Sequence, residues 1–481
     1  MTRFRLVTQV TLLCCGALAS ACGSSQGSAA PTSALAQLSE SADLTDVNPD
    51  PDIVEVELVA ERSTTQYLTG KTAQVWAYRD GAKPGAKATI PGPLLRAKVG
   101  DRIIVHLHND LPDETTIHWH GLRVPAEADG TPSSQTPVLP GSDYDYRFTA
   151  RDASSFWYHP HVRGYDQVER GLYAPMVVTG GVNVEVAADR YLVLDDVKLD
   201  ANGSLNEDTT ELDRMLGRQG NVLLINGQQA PVQLQVAAGS RERWRFVNAA
   251  NGRYFNLRIP GAKLLVIGSD GGILPAPFSA DTLLITPGER YDVLVTFEGS
   301  AGAHASLQTV FYDRGHDIPD PGPLDLLDVV LGPSLGVPAS LPEKWRDLPR
   351  LTVTDQTPVR SVVLEEHEQP GTPVKFTING EQWPDNKPVH VMQGDVEIWE
   401  VQNKAPMDHP FHLHGMFFEV LPTAGVPPLV DGWKDTVNVP QNSTLRFAVK
   451  YDPLGMWMFH CHILEHAELG MMGDLMVMPP P

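Results

Sequence analysis

The residues with the most evident chemistry lie close together near the end of the chain, between His460 and Met471. This stretch contains one thiol, Cys461, between two histidines, followed by His466 and Met471. A thiolate, two imidazoles and a weak axial thioether form the ligand set of a blue electron-transfer copper, so one more histidine would come from elsewhere. Alternate side chains of an extended segment face opposite ways, so His460 and His462 can reach a second metal centre while Cys461 binds the first. The sequence therefore predicts two neighbouring metal centres joined by one short segment.

The other cysteines leave Cys461 without a disulfide partner. The chain has four cysteines in all. Cys14 and Cys15 lie in an apolar leader that we expect to be removed, and Cys22 lies at its end. A solitary thiol between histidines, in an exported protein, is better explained as a metal ligand than as half of a disulfide or as a buried apolar residue.

The first 22 residues have the pattern of a bacterial export signal. Arg3 and Arg5 form a basic start, and the apolar run that follows is too short for a stable membrane span. Leu18-Ala19-Ser20-Ala21-Cys22-Gly23 resembles a lipobox, which predicts lipidation of Cys22. We therefore expect an exported protein that is lipid-anchored in the cell envelope, on the periplasmic or the outer side. Ordinary cleavage just before Cys22 is the alternative and would release a secreted protein.

Composition limits the partners. Residues 23–52 are mostly Ser, Ala, Gly, Pro and Asp without a core-forming period, so they predict a flexible tether. The formal net charge of −22 argues against nucleic acid or anionic lipid as a partner and leaves the lipid anchor as the contact with a membrane. We expect a monomer that acts on small molecules or metal ions.

An internal repeat indicates three similar domains. The segments that begin at Gly100, Gly239 and Gly394 each run through an apolar-rich extended stretch to an Asn. Short strands between Gly and Pro turns, with almost no helical period, predict an all-β fold of sandwiches. We place the domains at 53–182, 183–312 and 373–481, with an inter-domain linker at 313–372.

A second repeat carries histidines in the outer two domains. Trp157-Tyr158-His159-Pro160-His161 matches Trp457-Met458-Phe459-His460-Cys461-His462, whereas no His-x-His follows the corresponding Pro287–Val293 of the middle copy. The first and third domains therefore carry the predicted metal ligands, and the middle domain would hold them face to face. His106-Leu107-His108 is also His-x-His, but it lies inside the repeated strand and is read as structural.

Four His-x-His motifs in this order resemble the signature motifs of the multicopper oxidases. They are His118-Trp119-His120-Gly121, His159-Pro160-His161, His409-Pro410-Phe411-His412-Leu413-His414-Gly415 and His460-Cys461-His462. Thr377-Ile378-Asn379-Gly380 and Asp435-Thr436-Val437 look like the three-domain bacterial laccase branch. The resemblance covers the chain from about residue 91 to 478 and implies three consecutive cupredoxin-like Greek-key β-sandwich domains.

The resemblance also implies four copper ions and O₂ as co-substrate. The type 1 copper would be bound by His409, Cys461 and His466, with Met471 as its axial ligand. The type 2 copper would be bound by His118 and His412. The type 3 pair would be bound by His120, His159, His161, His414, His460 and His462.

Three further roles follow from the resemblance. His466 should present its ring edge to solvent as the electron entry, and Cys461 should pass electrons on to the cluster. Asp129 stands where the family has a carboxylate that serves the cluster as a proton donor or pKa tuner. A turn-forming Asp before Gly130 is the alternative. Glu468 is displaced by one position from the carboxylate of several bacterial members, so we read it as a surface residue.

Three functions are compatible with these motifs. A laccase-type oxidase would couple one-electron oxidation of phenols or aromatic amines to reduction of O₂ to two waters. A metallo-oxidase for Cu(I), Fe(II) or Mn(II) in envelope metal homeostasis is the alternative. The absence of Met between Asp313 and Thr377 counts against a dedicated cuprous site. A copper-free structural relative is least compatible, because every ligand position is filled.

The lipobox is open to a direct test. Cys22→Ala should move the protein from the membrane fraction to the soluble fraction, because the acylated thiol is lost. Cell fractionation followed by immunoblotting measures this, and an unchanged distribution would refute the lipid anchor.

Overall fold

The computed structural model describes residues 35–336, 338–342, 345–369, 371–423 and 430–481. The predicted signal peptide and lipobox lie outside these residues. In the described ranges, no helix is both long and apolar enough to cross a membrane. Strands dominate and form paired sheets in three successive groups, which confirms the predicted fold class.

The first domain is a sandwich of two four-stranded sheets, ordered β2-β1-β4-β6 and β3-β8-β7-β5. Its strands are β1 (Ile53–Leu68), β2 (Lys71–Asp80), β3 (Leu95–Lys98), β4 (Arg102–Asp110), β5 (His118–His120), β6 (Asp143–Thr149), β7 (Ser154–His159) and β8 (Ala174–Thr179). A short helix, α1 (Gly164–Glu169), follows β7. Trp119 and Phe156 fill the space between the sheets, so β5 and β7 are fixed by the core at the points where they carry histidines.

The second domain has a seven-stranded sheet, β11-β10-β9-β13-β18-β15-β16, and a five-stranded sheet, β12-β20-β19-β14-β17. Its strands are β9 (Ala188–Val197), β10 (Val222–Ile225), β11 (Gln228–Gln229), β12 (Val232–Ala237), β13 (Arg241–Asn248), β14 (Phe255–Arg258), β15 (Leu264–Ser269), β16 (Gly272–Ala280), β17 (Leu283–Ile285), β18 (Arg290–Thr296), β19 (His304–Val310) and β20 (Leu324–Gly332). Helix α2 (Glu211–Leu216) lies between β9 and β10.

The third domain has a six-stranded sheet, β22-β21-β24-β29-β26-β27, and a five-stranded sheet, β23-β31-β30-β25-β28. Its strands are β21 (Val359–His367), β22 (Lys375–Ile378), β23 (Val389–Met392), β24 (Val396–Asn403), β25 (His409–Leu413), β26 (Phe418–Val420), β27 (Trp433–Lys434), β28 (Thr436–Val439), β29 (Ser443–Lys450), β30 (Gly455–Cys461) and β31 (Met472–Met478). Helix α3 (Leu464–Glu468) connects β30 to β31.

The repeated segments of the sequence occupy equivalent places in the three domains. They form β4, β13 and β24, each of which pairs in parallel with the first strand of its domain. Each ends in a buried asparagine: Asn109, Asn248 or Asn403. In every case the side-chain oxygen accepts from the amide two residues on, and the side-chain nitrogen donates to two carbonyls. The asparagine recurs because it satisfies buried backbone groups where the strand leaves its sheet.

The prediction of a flexible tether over 23–52 is wrong for its second half. Leu38 N donates to Gln233 O at 2.8 Å in the second domain, and Leu44 N donates to Leu94 O at 2.9 Å in the first. Arg190 also pairs with Glu40. Composition predicted a tether because the segment lacks a core-forming period; its order comes from backbone pairing with sheet edges that lie far away in the sequence.

The predicted linker at 313–372 is also too long. It contains β20, which pairs with both β12 and β19, and all of β21, which pairs with β24. The connection between domains is therefore limited to residues 333–358. Its Pro and Asp content predicted irregular structure. Both of its ends nevertheless form strands, because they pair with β12, β19 and β24.

Candidate metal centres

Three buried side chains converge around Cys461. His409 begins β25, Cys461 ends the neighbouring β30, and His466 lies one turn later on α3. Cys461 Sγ lies 3.4 Å from His409 Nδ1 and 3.7 Å from His466 Nδ1, and the two nitrogens are 3.2 Å apart. A point equidistant from these three atoms lies about 2 Å from each, which is the length of a metal–nitrogen bond. The triangle therefore has the size of a metal site.

The surroundings of this triangle favour metal over protons. Burial lowers the pKa of His409 to about 3, so its imidazole stays neutral. Burial raises the pKa of the Cys461 thiol, so a bound cation is needed to keep the thiolate. Met471 is buried beside them, and its carbonyl accepts from Cys461 N at 3.1 Å. The four predicted type 1 ligands are thus neighbours.

Eight histidines form a second cluster between the first and third domains. Each sheet delivers them in pairs, because His118 lies opposite His159 in the β5–β7 ladder and His412 lies opposite His460 in the β25–β30 ladder. The rings meet across the domain boundary, as in the stack of His120 on His412 with centroids 3.9 Å apart. All the predicted type 2 and type 3 ligands lie here: His118, His120, His159, His161, His412, His414, His460 and His462.

Hydrogen bonds fix which nitrogen of these rings is free. The Nδ1 atoms of His118, His159, His412 and His460 each donate to a backbone carbonyl at 2.9 Å. Their Nε2 atoms must then carry bare lone pairs. His414 Nδ1 donates to the Asp129 carboxylate, and its Nε2 lies 2.9 Å from His460 Nε2. Two lone pairs at that distance repel each other unless a cation lies between them, so the cluster fits a metal.

In His120 the roles of the two ring nitrogens are reversed. Its Nε2 lies 3.1 Å from Thr436 Oγ1 and 3.3 Å from Asp435 Oδ1, while its Nδ1 is buried without a partner. His120 therefore offers Nδ1 to a metal, whereas His118, His159 and His412 offer Nε2. Both ring nitrogens of His462 are buried and unpartnered. Buried unpartnered nitrogens are rare in folded proteins, and here they converge on one volume.

Sequence comparison agrees with this geometry. Models of the multicopper oxidase family match residues 61–182, 190–317 and 353–481. The chain belongs to the multicopper oxidase family. Copper is accordingly the metal for which these histidine and cysteine clusters are built.

Relatives within the family carry different names. Multicopper oxidase MmcO of Mycobacterium tuberculosis is 32% identical over an alignment of 433 residues, covering 80% of this chain and 81% of that protein. The cell division protein FtsP of Edwardsiella tarda is 30% identical over 444 residues, covering 84% of this chain and 88% of its own. The solved multicopper oxidase of Campylobacter jejuni, described as a metallo-oxidase, superposes with a TM-score of 0.81 at 29% identity, covering 93% of this chain and 96% of its own.

Asp129 lies under the histidine cluster, as its place in the sequence predicted. It is fully buried at the end of a 3₁₀ turn (Ala126–Ala128). Its backbone carbonyl accepts from His118 and its carboxylate accepts from His414. The second carboxylate oxygen, Oδ1, has no partner within hydrogen-bonding geometry. The residue thus orients two imidazoles and keeps one oxygen free beside them.

Asp435 belongs to a motif that resembles the bacterial laccase branch, but the motif alone predicted no role for its carboxylate. Arg290 of β18 donates to both of its carboxylate oxygens, at 2.7 and 2.6 Å. Burial alone would raise the pKa of Asp435, but the charge and hydrogen bonds of Arg290 outweigh burial and hold it well below its usual range. Gly121, with φ +89°, makes room for this pair, since a β-carbon there would lie 2.2 Å from Arg290 Nη2. The glycine of the first motif is thereby explained.

The prediction that His466 presents its ring edge to solvent is wrong. The side chain is fully buried. Its Nε2 donates to the carbonyl of Met215 in α2 at 3.1 Å, and Phe376 stacks on its face with centroids 3.9 Å apart. Met215, which covers the edge of the ring, belongs to α2 of the middle domain. This helix is short and lies 251 residues before His466, so no sequence pattern predicts the contact.

A cavity of about 190 Å³ opens beside the histidine cluster. His159, His161 and His460 line its inner end, and Glu468 lines it as well. Glu468 is exposed, as predicted, yet its place on this cavity gives it access to the cluster that the sequence did not suggest. His106, by contrast, binds carboxylates on both neighbouring strands and has a structural role, as predicted.

Replacement of Cys461 should distinguish the contributions of the two centres. Cys461→Ser should abolish the blue absorption and the oxidation of every donor, because the thiolate is lost, while the histidine cluster keeps its copper. Visible absorption and copper analysis of the purified protein measure this. Retained donor oxidation would contradict the assignment of Cys461 to electron entry.

Two replacements of Asp129 distinguish its possible roles. Asp129→Asn keeps an oxygen that accepts from His414 but cannot deliver a proton, so copper content should stay and turnover should fall about 10²–10⁴-fold. Asp129→Ala should in addition weaken copper binding about 10–100-fold. Copper analysis and oxygen uptake check both, and unchanged turnover in Asp129→Asn would show that the carboxylate only orients the rings.

Proposed function

We propose that this protein is a metallo-oxidase that removes single electrons from Cu(I), Fe(II) or Mn(II) and reduces O₂ to two waters. Each O₂ takes four electrons from four donor ions and four protons from solvent. The observation that supports this donor class is the complete burial of His466 under Met215 of α2.

The residues fit four copper ions divided as the family resemblance implies. His409, Cys461, His466 and Met471 would hold the type 1 ion, His118 and His412 the type 2 ion, and the other six histidines the type 3 pair. Copper bound there supplies reversible one-electron chemistry at the first centre and the binding and reduction of O₂ at the second. The protein contributes fixed neutral imidazoles, a buried thiolate and a covalent connection through His460 and His462.

The cover over His466 discriminates between donors. A phenol cannot stack against an imidazole that already binds Met215 O and Phe376. A metal ion needs no such contact, because its electron can pass from the outer face of α2 through bonded atoms. Met215 is the single methionine between residues 183 and 312, and a thioether suits Cu(I). It lies outside the segment whose lack of methionine argued against a cuprous site.

Protons have a separate route in this proposal. Asp129 keeps one oxygen free next to His118 and His414. The 190 Å³ cavity, with Glu468 among its lining residues, joins solvent to His161 and His460. Protons and O₂ would therefore arrive at this cavity, which residues of the first and third domains line, and electrons would arrive at α2.

Oxidation of phenols is the second candidate, and one observation favours it. A cavity of about 350 Å³ on the second domain is lined by Tyr254 and Tyr312, among others. Tyr312 Oη donates to the carboxylate of Asp408 at 2.7 Å, and Asp408 precedes His409 in the chain. An aromatic donor in this cavity would be close to the type 1 ligands without touching His466.

The remaining features of the proposal rest on the sequence. The export signal and lipobox support a location in the cell envelope with a lipid anchor, and a monomer is expected. A purely structural role, suggested by the name of the cell division relative, is disfavoured because all twelve predicted ligands are present and adjacent.

Oxygen uptake by the copper-loaded mature protein decides between the donors. Cu(I) or Fe(II) should be consumed about tenfold faster or more than a methoxyphenol at equal concentration, a factor that corresponds to a barrier difference of about 1.4 kcal/mol. Faster turnover of the phenol would overturn the metallo-oxidase and support the laccase-type function.

Loosening of α2 should shift this preference. Asp213 closes a capping box with Thr210 and pairs with Lys198. Asp213→Ala should cost about 1 kcal/mol of helix stability, so the uncovered state gains about fivefold and phenol oxidation rises by a similar factor. Asp208→Ala removes the same charge from the segment just before α2, leaves the capping box in place and serves as control. No gain, or an equal gain in both variants, would contradict the role of α2 as a cover.

A further inference from the structure

The middle domain contributes no predicted copper ligand, yet its charges reach the histidine cluster. Arg290 is fully buried and binds Asp435 with both guanidinium nitrogens. Asp270 of the same domain accepts from Asp435 N and Thr436 N at 3.3 and 3.2 Å. Lys434 Nζ lies 2.7 Å from Glu289 and 3.0 Å from Asp270. Five buried charges therefore form one network at the boundary with the third domain.

This network contains three carboxylates and two cations, so its carboxylates outnumber its cations by one. Asp435 is the member nearest the histidines, with Oδ1 at 3.3 Å from His120 Nε2 and 3.6 Å from His412 Nδ1. An uncompensated buried charge is costly unless a counter-ion lies close by. Copper held by His120, and copper held by His412, would each provide such a counter-ion.

The direction of the hydrogen bonds follows from Arg290. A carboxylate held by a bidentate guanidinium can only accept. Thr436 Oγ1, 2.8 Å from Asp435 Oδ1, must therefore donate to it. The Thr436 oxygen is then left as an acceptor for His120 Nε2–H at 3.1 Å. A proton on Nε2 leaves Nδ1 of His120 bare and directed at the metal.

We propose that Arg290 is the positioning residue that selects Nδ1 of His120 as a copper-binding atom, acting through Asp435 and Thr436. The middle domain thereby determines the coordination of a centre whose ligands all belong to the other two domains. The inference rests on the copper assignment of the proposed function and is independent of which donor the enzyme oxidises.

Arg290→Met tests this with the blue absorption as an internal reference. Copper affinity of the histidine cluster should fall about 10–100-fold, as is typical when an outer partner of a ligand is lost. The type 1 absorption should stay, because Arg290 makes no hydrogen bond to the ligands of that site. Copper titration and the electron paramagnetic resonance spectrum of the histidine-cluster copper measure both. Full copper with an unchanged spectrum would overturn the inference.

A matched control separates positioning from stability. Arg245 is also a buried arginine of the middle domain with a bidentate carboxylate partner, Asp189. Its other hydrogen bonds go to Ser155 Oγ and Asp292, and none of its hydrogen bonds goes to a histidine or to Asp435. Arg245→Met should lower the melting temperature as Arg290→Met does, yet keep the copper and its spectrum. Equal copper loss in both variants would make Arg290 a structural residue only and would overturn the proposal.

A second pair of variants applies if Arg290→Met does not fold. Thr436→Val removes the hydroxyl that accepts from His120 and leaves the Arg290–Asp435 pair in place, whereas Thr436→Ser keeps the hydroxyl. Weakened copper binding with an altered spectrum in Thr436→Val, restored in Thr436→Ser, supports the chain of hydrogen bonds. Wild-type copper binding in Thr436→Val overturns it. Failure of the wild-type protein itself to bind copper at the histidines would refute the proposed function instead.

Discussion

Imidazole lone pairs that face one another in a buried interface are the constraint on which this structure depends. In six of the eight rings one nitrogen donates to a carbonyl, a carboxylate or a hydroxyl, so the other nitrogen of a neutral ring carries a bare lone pair. Burial prevents the rings from relieving their repulsion by taking up protons, and it lowers the pKa of His460 to about 3. Only a bound cation satisfies them. The cost of this arrangement in the absence of metal must be met by the packing of the surrounding sandwiches.

The three domains contribute differently to the two metal centres. The first and third supply ladders whose pairing fixes the spacing of the histidines, as in the His118–His159 and His412–His460 pairs. The middle domain supplies charges and covers rather than ligands. Its Arg290 network lies against the histidine cluster, and its α2 closes the Cys461 centre. A domain that sequence reasoning describes as a spacer thus controls the surroundings of both metal centres.

This division explains which features could be predicted from the sequence. Ligands recur in short motifs because a strand places alternate residues on one face, so His-x-His spacing and the Gly-to-Asn repeats revealed the sandwiches and the candidate ligands. Contacts between domains left no such local pattern. Arg290 and Asp435 are 145 residues apart, and Met215 and His466 are 251 apart. The burial of His466, the order of residues 36–52 and the strands at both ends of the supposed linker all depend on such distant partners.

The closed Cys461 centre is consistent with its work, because an electron donor does not need to touch the metal. Electrons cross a few bonded atoms, whereas water, anions and O₂ cannot. A cover made of Met215 and Phe376 therefore admits reduction and excludes competing ligands, and the choice of donor passes from the metal to the outer face of the protein. The histidine cluster must be open to O₂ and protons, and a cavity lined by His161, His460 and Glu468 reaches it. In the proposed function, O₂ and protons would enter at this cavity, whereas electrons would enter through Cys461.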